Sequence, residues 1–193
     1  MNWKEEKIIY NFVDNFVDFP NKYAITMFFT GCNLNCPFCY NKHVVNGEGN
    51  FSINDVIEKK TQIENCFNNF KIGMVFSGGE PTIQNKFEDI INTFVNDHPL
   101  AIHTNGIIIP NFKNCFESVV LSLKFKECGI PENYVDILRN ALYYYKECKQ
   151  KEINVVKVKN YLDEYTYYLN ELKEDIDNLG YKVIFSNNIK EGV

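Results

Sequence analysis

Three cysteines, Cys32, Cys36 and Cys39, lie within eight consecutive positions of the chain. Thiolates select soft metals such as zinc, Cu(I) and the irons of iron–sulfur clusters. An ordinary cubane cluster takes four cysteine ligands, so three cysteines in one loop would leave one iron without a protein ligand. Because an open coordination position is how a metal admits a substrate, this spacing predicts a catalytic iron–sulfur site.

Two other interpretations of the same cysteines stay open at this point. His43 follows Cys39 closely enough to complete a zinc site of three cysteines and one histidine. The three side chains could also be ordinary buried cysteines that bind no metal. The other four cysteines are scattered singly and have no pair spacing for a second cluster: Cys66, Cys115, Cys128 and Cys148.

Two further motifs directly follow predicted strands. The first contains Gly78, Gly79 and Glu80, and the second contains Thr104 and Asn105. Consecutive glycines let the backbone approach a ligand closely, and a glutamate carboxylate can accept hydrogen bonds from an ammonium group. Barrel proteins place their chemistry at the carboxyl ends of neighbouring strands, so we expect both motifs to lie near the cysteines.

The elements that would position these motifs alternate along the chain. Six short segments, mostly apolar and rich in β-branched or aromatic residues, have the pattern of strands covered on both faces. They are residues 24–29, 73–77, 100–104, 119–124, 153–158 and 181–186. The alternation predicts an α/β fold with a parallel sheet and right-handed crossovers. Six units are too few for an eight-fold barrel of about 250 residues, which leaves an open six-unit barrel or a doubly wound sheet.

Amphipathic patterns between these strands predict the helices. They cover residues 53–70, 87–95, 135–145 and 162–179. Ser52 is the expected N-cap of the first helix, and Gly180 is expected to end the last one. Residues 111–117 are predicted to form a short helix or a turn.

Composition and charge exclude several classes of protein. The 193 residues are 45% hydrophobic with a formal net charge of −5, which is typical of a globular chain and not of a disordered one. Arg139 is the single arginine, and an acidic chain almost without arginine is not expected to bind nucleic acid. No stretch is apolar enough to span a membrane, and the first residues do not form a secretory signal. We therefore expect a soluble, cytoplasmic protein with reduced thiols and one domain over residues 1–193.

The spacing of Cys32, Cys36, Phe38 and Cys39, followed by a Gly-Gly-Glu turn, resembles that of the radical S-adenosylmethionine (SAM) superfamily. The resemblance implies a [4Fe–4S] cluster on the three cysteines, which would act as metal ligands and catalytic residues. It also implies that SAM binds the iron that the cysteines leave free. The fold it implies is a partial (β/α)6 TIM-like barrel with an open, parallel six-stranded sheet.

The same resemblance implies a set of residues that contact SAM. They are Phe38, Tyr40, Gly78, Gly79, Glu80, Thr104, Asn105 and Lys124. The Gly-Gly-Glu turn would meet the methionine amino group, and the two aromatic residues would lie beside the adenine. Thr104 and Asn105 would help to hold the cofactor, whereas Lys124 would either neutralise its carboxylate or reach solvent.

Residues 16–20 and the cysteine loop further resemble glycyl-radical-enzyme activases, and in particular the activating proteins of anaerobic ribonucleoside-triphosphate reductase. The match covers residues 10–125. It implies that the reduced cluster cleaves SAM to methionine and a 5′-deoxyadenosyl radical, which removes a hydrogen from a glycine Cα of the partner reductase. A flavodoxin- or ferredoxin-type protein would supply the electron.

Two positions depart from the activase pattern. Asn21 stands where glycine is expected, and Ser122 stands near the place of an acidic residue. These differences concern the substrate more than the cofactor. A small-molecule radical SAM enzyme similar to 7-carboxy-7-deazaguanine synthase is therefore the first alternative, and a non-enzymatic zinc or electron-transfer protein is the second.

Overall fold

The computed structural model describes residues 2–67 and 71–187. Within these residues, seven strands form one sheet in chain order. Their bounds are Ile9–Asn15 (β1), Ala24–Phe29 (β2), Gly73–Gly78 (β3), Leu100–Thr104 (β4), Ser118–Ser122 (β5), Gln150–Lys157 (β6) and Lys182–Asn187 (β7). The α-helices of these residues are Lys42–Val45 (α1), Ile53–Cys66 (α2), Phe87–Phe94 (α3), Tyr134–Tyr144 (α4), Leu162–Glu171 (α5) and Lys173–Leu179 (α6). None of them is long and apolar enough to cross a bilayer.

The sheet confirms the predicted α/β fold, because β2 to β7 are six parallel strands. Side chains from β3 to β7 line one cavity, so the sheet curls around it as a partial barrel. β1 pairs antiparallel with β2 and is a seventh strand that the sequence pattern does not predict. Asn11, Asp14 and Asn15 interrupt its apolar residues, and Ile9 is its one buried residue. β1 therefore lacks the apolar run that identifies the parallel strands.

The outer face of the sheet packs against the helices, because the strands place apolar residues there at every second position. On β2 these residues are Ile25, Met27 and Phe29, which are fully buried. α3 contributes four buried apolar side chains at the predicted helical spacing. The inward positions are smaller or polar, as at Thr26 and Ser77, so the concave side of the sheet keeps space for a ligand.

Local capping begins one helix and ends another as the sequence predicts. Ser52 caps α2 by accepting a hydrogen bond from the Asp55 amide, while the Asp55 carboxylate accepts one from the Ser52 amide. Gly180 has a φ of 72° and ends α6 in the left-handed conformation. The predicted end of the first helix, at residues 68–70, lies outside the described residues. Residues 111–117 form bends and contain no helix.

The prediction of one continuous helix over residues 162–179 is wrong. α5 ends at Glu171, and Leu172 (φ −105°, ψ 4°) separates it from α6. The carbonyl of Glu171 accepts a hydrogen bond from Nη2 of Arg139 at 3.3 Å. A side chain of α4 thus satisfies a carbonyl at the end of α5, a contact that the helical periodicity does not reveal.

The connection between β1 and β2 closes the amino-terminal end of the barrel. Phe19 is 1% exposed and packs with Ala24, Val75 and Ala101. A Cβ at Gly73 would lie 2.5 Å from the Phe19 ring, so only glycine at this position leaves room for the ring, which fills this end of the barrel. Ligands are therefore expected to enter from the carboxyl ends of the strands.

We predict that Phe19→Ala destabilises the protein by about 3–5 kcal/mol, because it leaves a cavity in a packed cluster. Urea unfolding followed by circular dichroism measures the change. Val17→Ala is the control in the same connection: Val17 is 83% exposed, and its truncation should change the free energy of unfolding by less than about 0.5 kcal/mol. An equal change in the free energy of unfolding for the two substitutions would contradict the packing role assigned to Phe19.

Candidate functional site

A cavity of about 530 Å³ lies at the carboxyl ends of the parallel strands. Its walls come from the loop after β2, the turn after β3, the end of β4, and the inward faces of β5 to β7. All of the predicted site residues line this cavity: Cys32, Cys36, Phe38, Cys39, Tyr40, Gly78, Gly79, Glu80, Thr104, Asn105 and Lys124. The fold therefore brings to one place residues that lie between positions 32 and 124 of the chain.

The three clustered cysteines occupy the loop that follows β2. Gly31 has a φ of 77° and turns the chain out of the strand, and its amide donates to the carbonyl of Val45 at 3.1 Å. Burial raises the pKa of the Cys32 thiol, whereas a hydrogen bond from the Leu34 backbone and the charge of Lys124 act in the opposite direction. The Leu34 backbone and Lys124 thus offset only part of the cost of burying a thiolate, and the charge of Glu80 adds to that cost.

The glycine turn after β3 lies directly against the cysteine loop. The amide of Gly79 donates to the carbonyl of Phe29 at 2.8 Å, and the amide of Glu80 donates to the carbonyl of Gly31 at 2.9 Å. A Cβ at Gly79 would lie 1.7 Å from the Gly31 oxygen, so no other residue fits there without moving the backbone. Gly78 has a φ of 104°, which also favours glycine.

Glu80 is fully buried, and its carboxylate joins β3 to β4. Oε1 accepts hydrogen bonds from Oγ1 of Thr104 at 2.7 Å and from the amide and hydroxyl of Thr82 at 3.2 and 2.8 Å. Oε2 accepts from the amide of Asn105 at 2.8 Å. Burial raises the pKa of Glu80, and these donors act against that shift. The sequence predicts an ammonium partner for Glu80, but gives no signal for these protein partners.

Thr104 and Asn105, at the end of β4, also hydrogen-bond to residues that follow β3 and β2. The hydroxyl of Thr104 is used by Glu80, and Nδ2 of Asn105 donates to Oδ1 of Asn33 at 2.8 Å. Asn33 belongs to the cysteine loop. The ends of β2, β3 and β4 are therefore linked through side chains as well as through the sheet.

The aromatic residues and the lysine occupy different parts of the cavity wall. Phe38 is half-buried, with its ring 5.5 Å from that of Phe125 in an edge-to-face contact. Tyr40 is 66% exposed at the cavity mouth. The amide of Lys124 donates to the hydroxyl of the buried Tyr134 at 3.0 Å, which holds the chain end of β5. Lys124 also lines the cavity.

The two positions that depart from the activase pattern have separate structural settings. Asn21 has a φ of 60°, a conformation that favours glycine and that asparagine tolerates better than most residues. Ser122 lines the cavity, and the acidic residue of this wall is Glu152, which pairs in register with Val120. Glu152 is absent from the predicted site residues because the apolar pattern places the start of β6 at residue 153, three residues too late.

The zinc site considered for His43 is not formed. His43 lies on α1 with an exposed side chain, its ring is 5.6 Å from that of Tyr10, and it does not line the cavity. In residues 2–67 and 71–187, no three His, Cys, Asp or Glu side chains are close enough to hold a single metal ion. The cysteines are therefore not arranged around one ion.

The family model of the radical SAM superfamily matches residues 26–179 of this chain. The chain belongs to the radical SAM superfamily. A protein of Methanocaldococcus jannaschii that carries the provisional name of a glycyl-radical enzyme activating enzyme is 32% identical over 98 residues, or 47% of this chain and 36% of that protein. The 7-carboxy-7-deazaguanine synthase of Haemophilus influenzae is 34% identical over 80 residues, or 41% of this chain and 34% of that enzyme. The matched part of this chain spans about a third of the length of each of these two relatives.

Two solved structures have a similar fold. The structure of SuiB from Streptococcus suis bound to the precursor peptide SuiA gives a TM-score of 0.57 at 18% identity, covering 83% of this chain and 38% of SuiB. QueE from Escherichia coli gives a TM-score of 0.55 at 17% identity, covering 92% of both chains. At these identities the likeness concerns the fold, which is the partial barrel of radical SAM proteins.

The cofactors of the radical SAM superfamily are a [4Fe–4S] cluster and SAM, and the donor set of this cavity fits them. Each cysteine of a cubane binds a different iron, so its three thiols need not converge on one atom. Cys32, Cys36 and Cys39 come from one loop and all line the cavity. Lys124 supplies a positive charge to the same space, which suits both the thiolates and a carboxylate.

We predict that Glu80→Gln destabilises the cluster-free protein by about 1–3 kcal/mol. The side-chain NH2 group of glutamine would face the buried donor groups of Thr82, Thr104 and Asn105, and these groups would lose an acceptor. Urea unfolding followed by circular dichroism measures the change. Glu48→Gln, at an exposed position, is the matched control and should change the free energy of unfolding by less than about 0.5 kcal/mol. An unchanged stability of Glu80→Gln would contradict the assigned role of this carboxylate.

Proposed function

We propose that this protein reductively cleaves SAM and uses the resulting radical to install a glycyl radical on a partner enzyme, anaerobic ribonucleoside-triphosphate reductase. The observation that carries the proposal is the meeting of three thiols, a Gly-Gly-Glu turn and a lysine in one cavity. When bound, the reduced [4Fe–4S] cluster supplies one electron to the SAM sulfonium, which releases methionine and a 5′-deoxyadenosyl radical.

In this proposal Cys32, Cys36 and Cys39 hold the cluster and leave one iron for SAM. The loop that carries them is fixed from both sides, by the Gly31 amide on Val45 and by the Asn33 side chain on Asn105. Such support keeps the ligands in place when the charge of the cluster changes.

The turn after β3 is proposed to bind the amino group of SAM. Its Gly79 and Glu80 amides already donate to the cysteine strand and loop, so the groups left for a ligand are acceptors. An ammonium group needs acceptors, which the carbonyls of Gly78 and Gly79 provide. Glu80 adds a nearby negative charge and holds the turn, while Thr104 and Asn105 hold Glu80.

The rest of the cofactor has proposed partners elsewhere in the lining of the cavity. Lys124 offers an ammonium group to the SAM carboxylate, with its backbone held by Tyr134. Phe38 and Tyr40 offer aromatic surface to the adenine. No general base appears in these roles, because hydrogen removal by a radical transfers no proton to the protein.

The proposed substrate is a glycine in a second protein. Support comes from two proteins of Methanocaldococcus jannaschii with the provisional name of glycyl-radical enzyme activating enzymes, which are 32% and 22% identical to this chain over 98 and 150 residues. A flavodoxin- or ferredoxin-type donor would supply the electron. A glycine Cα without a side chain can approach a reactive carbon in a narrow cavity.

A small-molecule substrate is the second candidate, and the far wall of the cavity favours it. Ser122, Glu152 and Asn154 face the cavity from β5 and β6, and Ser186 of β7 donates to Oδ1 of Asn154 at 3.0 Å. These groups could hydrogen-bond a polar compound. The 7-carboxy-7-deazaguanine synthase of Haemophilus influenzae, 34% identical over 80 residues, is a relative of this kind.

We predict that anaerobic reconstitution of the protein yields about four irons per chain and a cluster spectrum that SAM perturbs. Cys36→Ala should lose the cluster and SAM cleavage, since one ligand is removed. Cys66→Ala is the matched control, because Cys66 is exposed on α2 and does not line the cavity. A colourless protein that holds zinc, or a Cys36→Ala variant that still cleaves SAM, would overturn the proposal.

Substrate class is decided by incubating the reconstituted protein, SAM and a reductant with the anaerobic reductase of the same genome. Electron paramagnetic resonance should show a glycyl radical on the reductase, with one methionine formed per radical. If SAM cleavage is intact but no glycyl radical forms, and a pterin-type compound stimulates cleavage instead, the small-molecule function is correct.

A further inference from the structure

Two polar residues of β6 line the cavity at consecutive inward positions. Glu152 and Asn154 are two residues apart, so their side chains lie on the same face of the strand, with Cα atoms about 6.6 Å apart. In register, Glu152 lies beside Val120 of β5 and Asn154 lies beside Ser122. The strand therefore presents one carboxylate and one amide group to the same space, at a spacing that the sheet fixes.

A serine of β7 fixes the orientation of the Asn154 amide group. Oγ of Ser186 donates to Oδ1 of Asn154 at 3.0 Å. Within residues 2–67 and 71–187, this is the one hydrogen bond that the Asn154 side chain forms. Because the serine occupies the oxygen, the Nδ2 group is left to donate to a ligand. Asn154 is thus a hydrogen-bond donor to the cavity.

The carboxylate of Glu152 has no charged protein partner in the part of the chain that the structure describes. Lys182 of β7 is its neighbour in register, but no cationic nitrogen of these residues lies within 4.0 Å of the carboxylate. Glu80, in contrast, uses both of its oxygens for protein donors. A carboxylate that ligands remove from water needs donors to replace its hydration. Glu152 therefore needs an N–H donor from the substrate.

The amide groups of a peptide backbone match this pair of side chains. The N–H and the C=O of one extended residue point to the same side, as they do where two antiparallel strands exchange both bonds. Glu152 can accept from such an N–H, and Asn154 can donate to such a C=O. Glycine brings its backbone close to both side chains because it has no Cβ. Since its Cα lies between the two bonded groups, the pair also fixes the C–H bond that reacts.

We infer that Glu152 and Asn154 select a substrate that presents an amide N–H and C=O, and that in a glycyl substrate they bind the backbone of the reacting glycine. The inference rests on the proposed function, since it requires a radical that forms in this cavity. A cyclic amide of a small heterocycle carries the same two groups. It is the other source of this chemistry, and the experiment separates the two sources.

The test uses the reconstituted protein, SAM and a reductant, with a synthetic peptide of the reductase's glycine segment as the probe. In a matched peptide, an ester replaces the amide N–H of the glycine with oxygen and adds no bulk. The apparent KM for 5′-deoxyadenosine formation should be about ten-fold higher for the ester peptide. Glu152→Ala should raise the KM for the amide peptide and remove this difference, because the acceptor is gone. Glu147→Ala, at an exposed position outside the cavity lining, is the matched control and should keep the difference.

A second variant covers the case in which Glu152→Ala fails to fold. Asn154→Asp keeps the shape of the side chain but replaces the donor with an acceptor, so the KM for the amide peptide should again rise about ten-fold. Iron content and the response of the cluster spectrum to SAM identify the variants that are folded and loaded. Equal KM values of the wild-type protein for the two peptides, or a Glu152→Ala variant that keeps the ten-fold difference, would overturn the inference.

A pterin-type compound with a cyclic amide is the second probe. If it stimulates SAM cleavage in the wild-type protein but not in Glu152→Ala, and the peptide has no effect, the amide-binding role is correct and the glycyl function fails. If the peptide stimulates cleavage equally in both proteins, the glycyl function is correct and the inference fails. If neither probe changes SAM cleavage by the loaded protein, both fail.

Discussion

A buried carboxylate holds together the strand ends on which the cavity depends. Glu80 is removed from water, and a buried carboxylate is costly unless hydrogen bonds replace its hydration. Thr82, Thr104 and the amide of Asn105 supply these bonds, so the end of β3 is tied to the end of β4. The amide of Gly79 ties the same turn to β2. Three strand ends thus become one rigid support for the cysteine loop.

The cavity has two sides with different chemistry. The side of the cysteines and the glycine turn presents thiols, backbone carbonyls and the ammonium group of Lys124, which are groups that fit the superfamily's cofactors. The side of β5 to β7 presents Ser122, Glu152 and Asn154. Because the first side would be filled by the cofactors, the second side is the part of the barrel that is free to distinguish substrates.

Local patterns explain how far the fold follows from the sequence. The parallel strands are apolar runs covered on both faces, and the caps at Ser52 and Gly180 depend on neighbouring residues, so these features are visible in the chain. The edge strand β1 is not, because three of its seven residues are polar and Ile9 is the one that is buried. The break at Leu172 also escapes the pattern, since a residue of another helix, Arg139, satisfies the carbonyl there.

The sequence by itself determined the chemistry that is local: the spacing of Cys32, Cys36 and Cys39, and the glycines of the turn after β3. Residues that act within a few positions of each other carry their relation in the spacing. Only the tertiary structure decided the partners of Glu80 and placed Glu152 and Asn154 of β6 in the same cavity as the cysteines. Parallel crossovers bring distant strand ends together at one edge of the sheet, and no local periodicity records which side chains meet there.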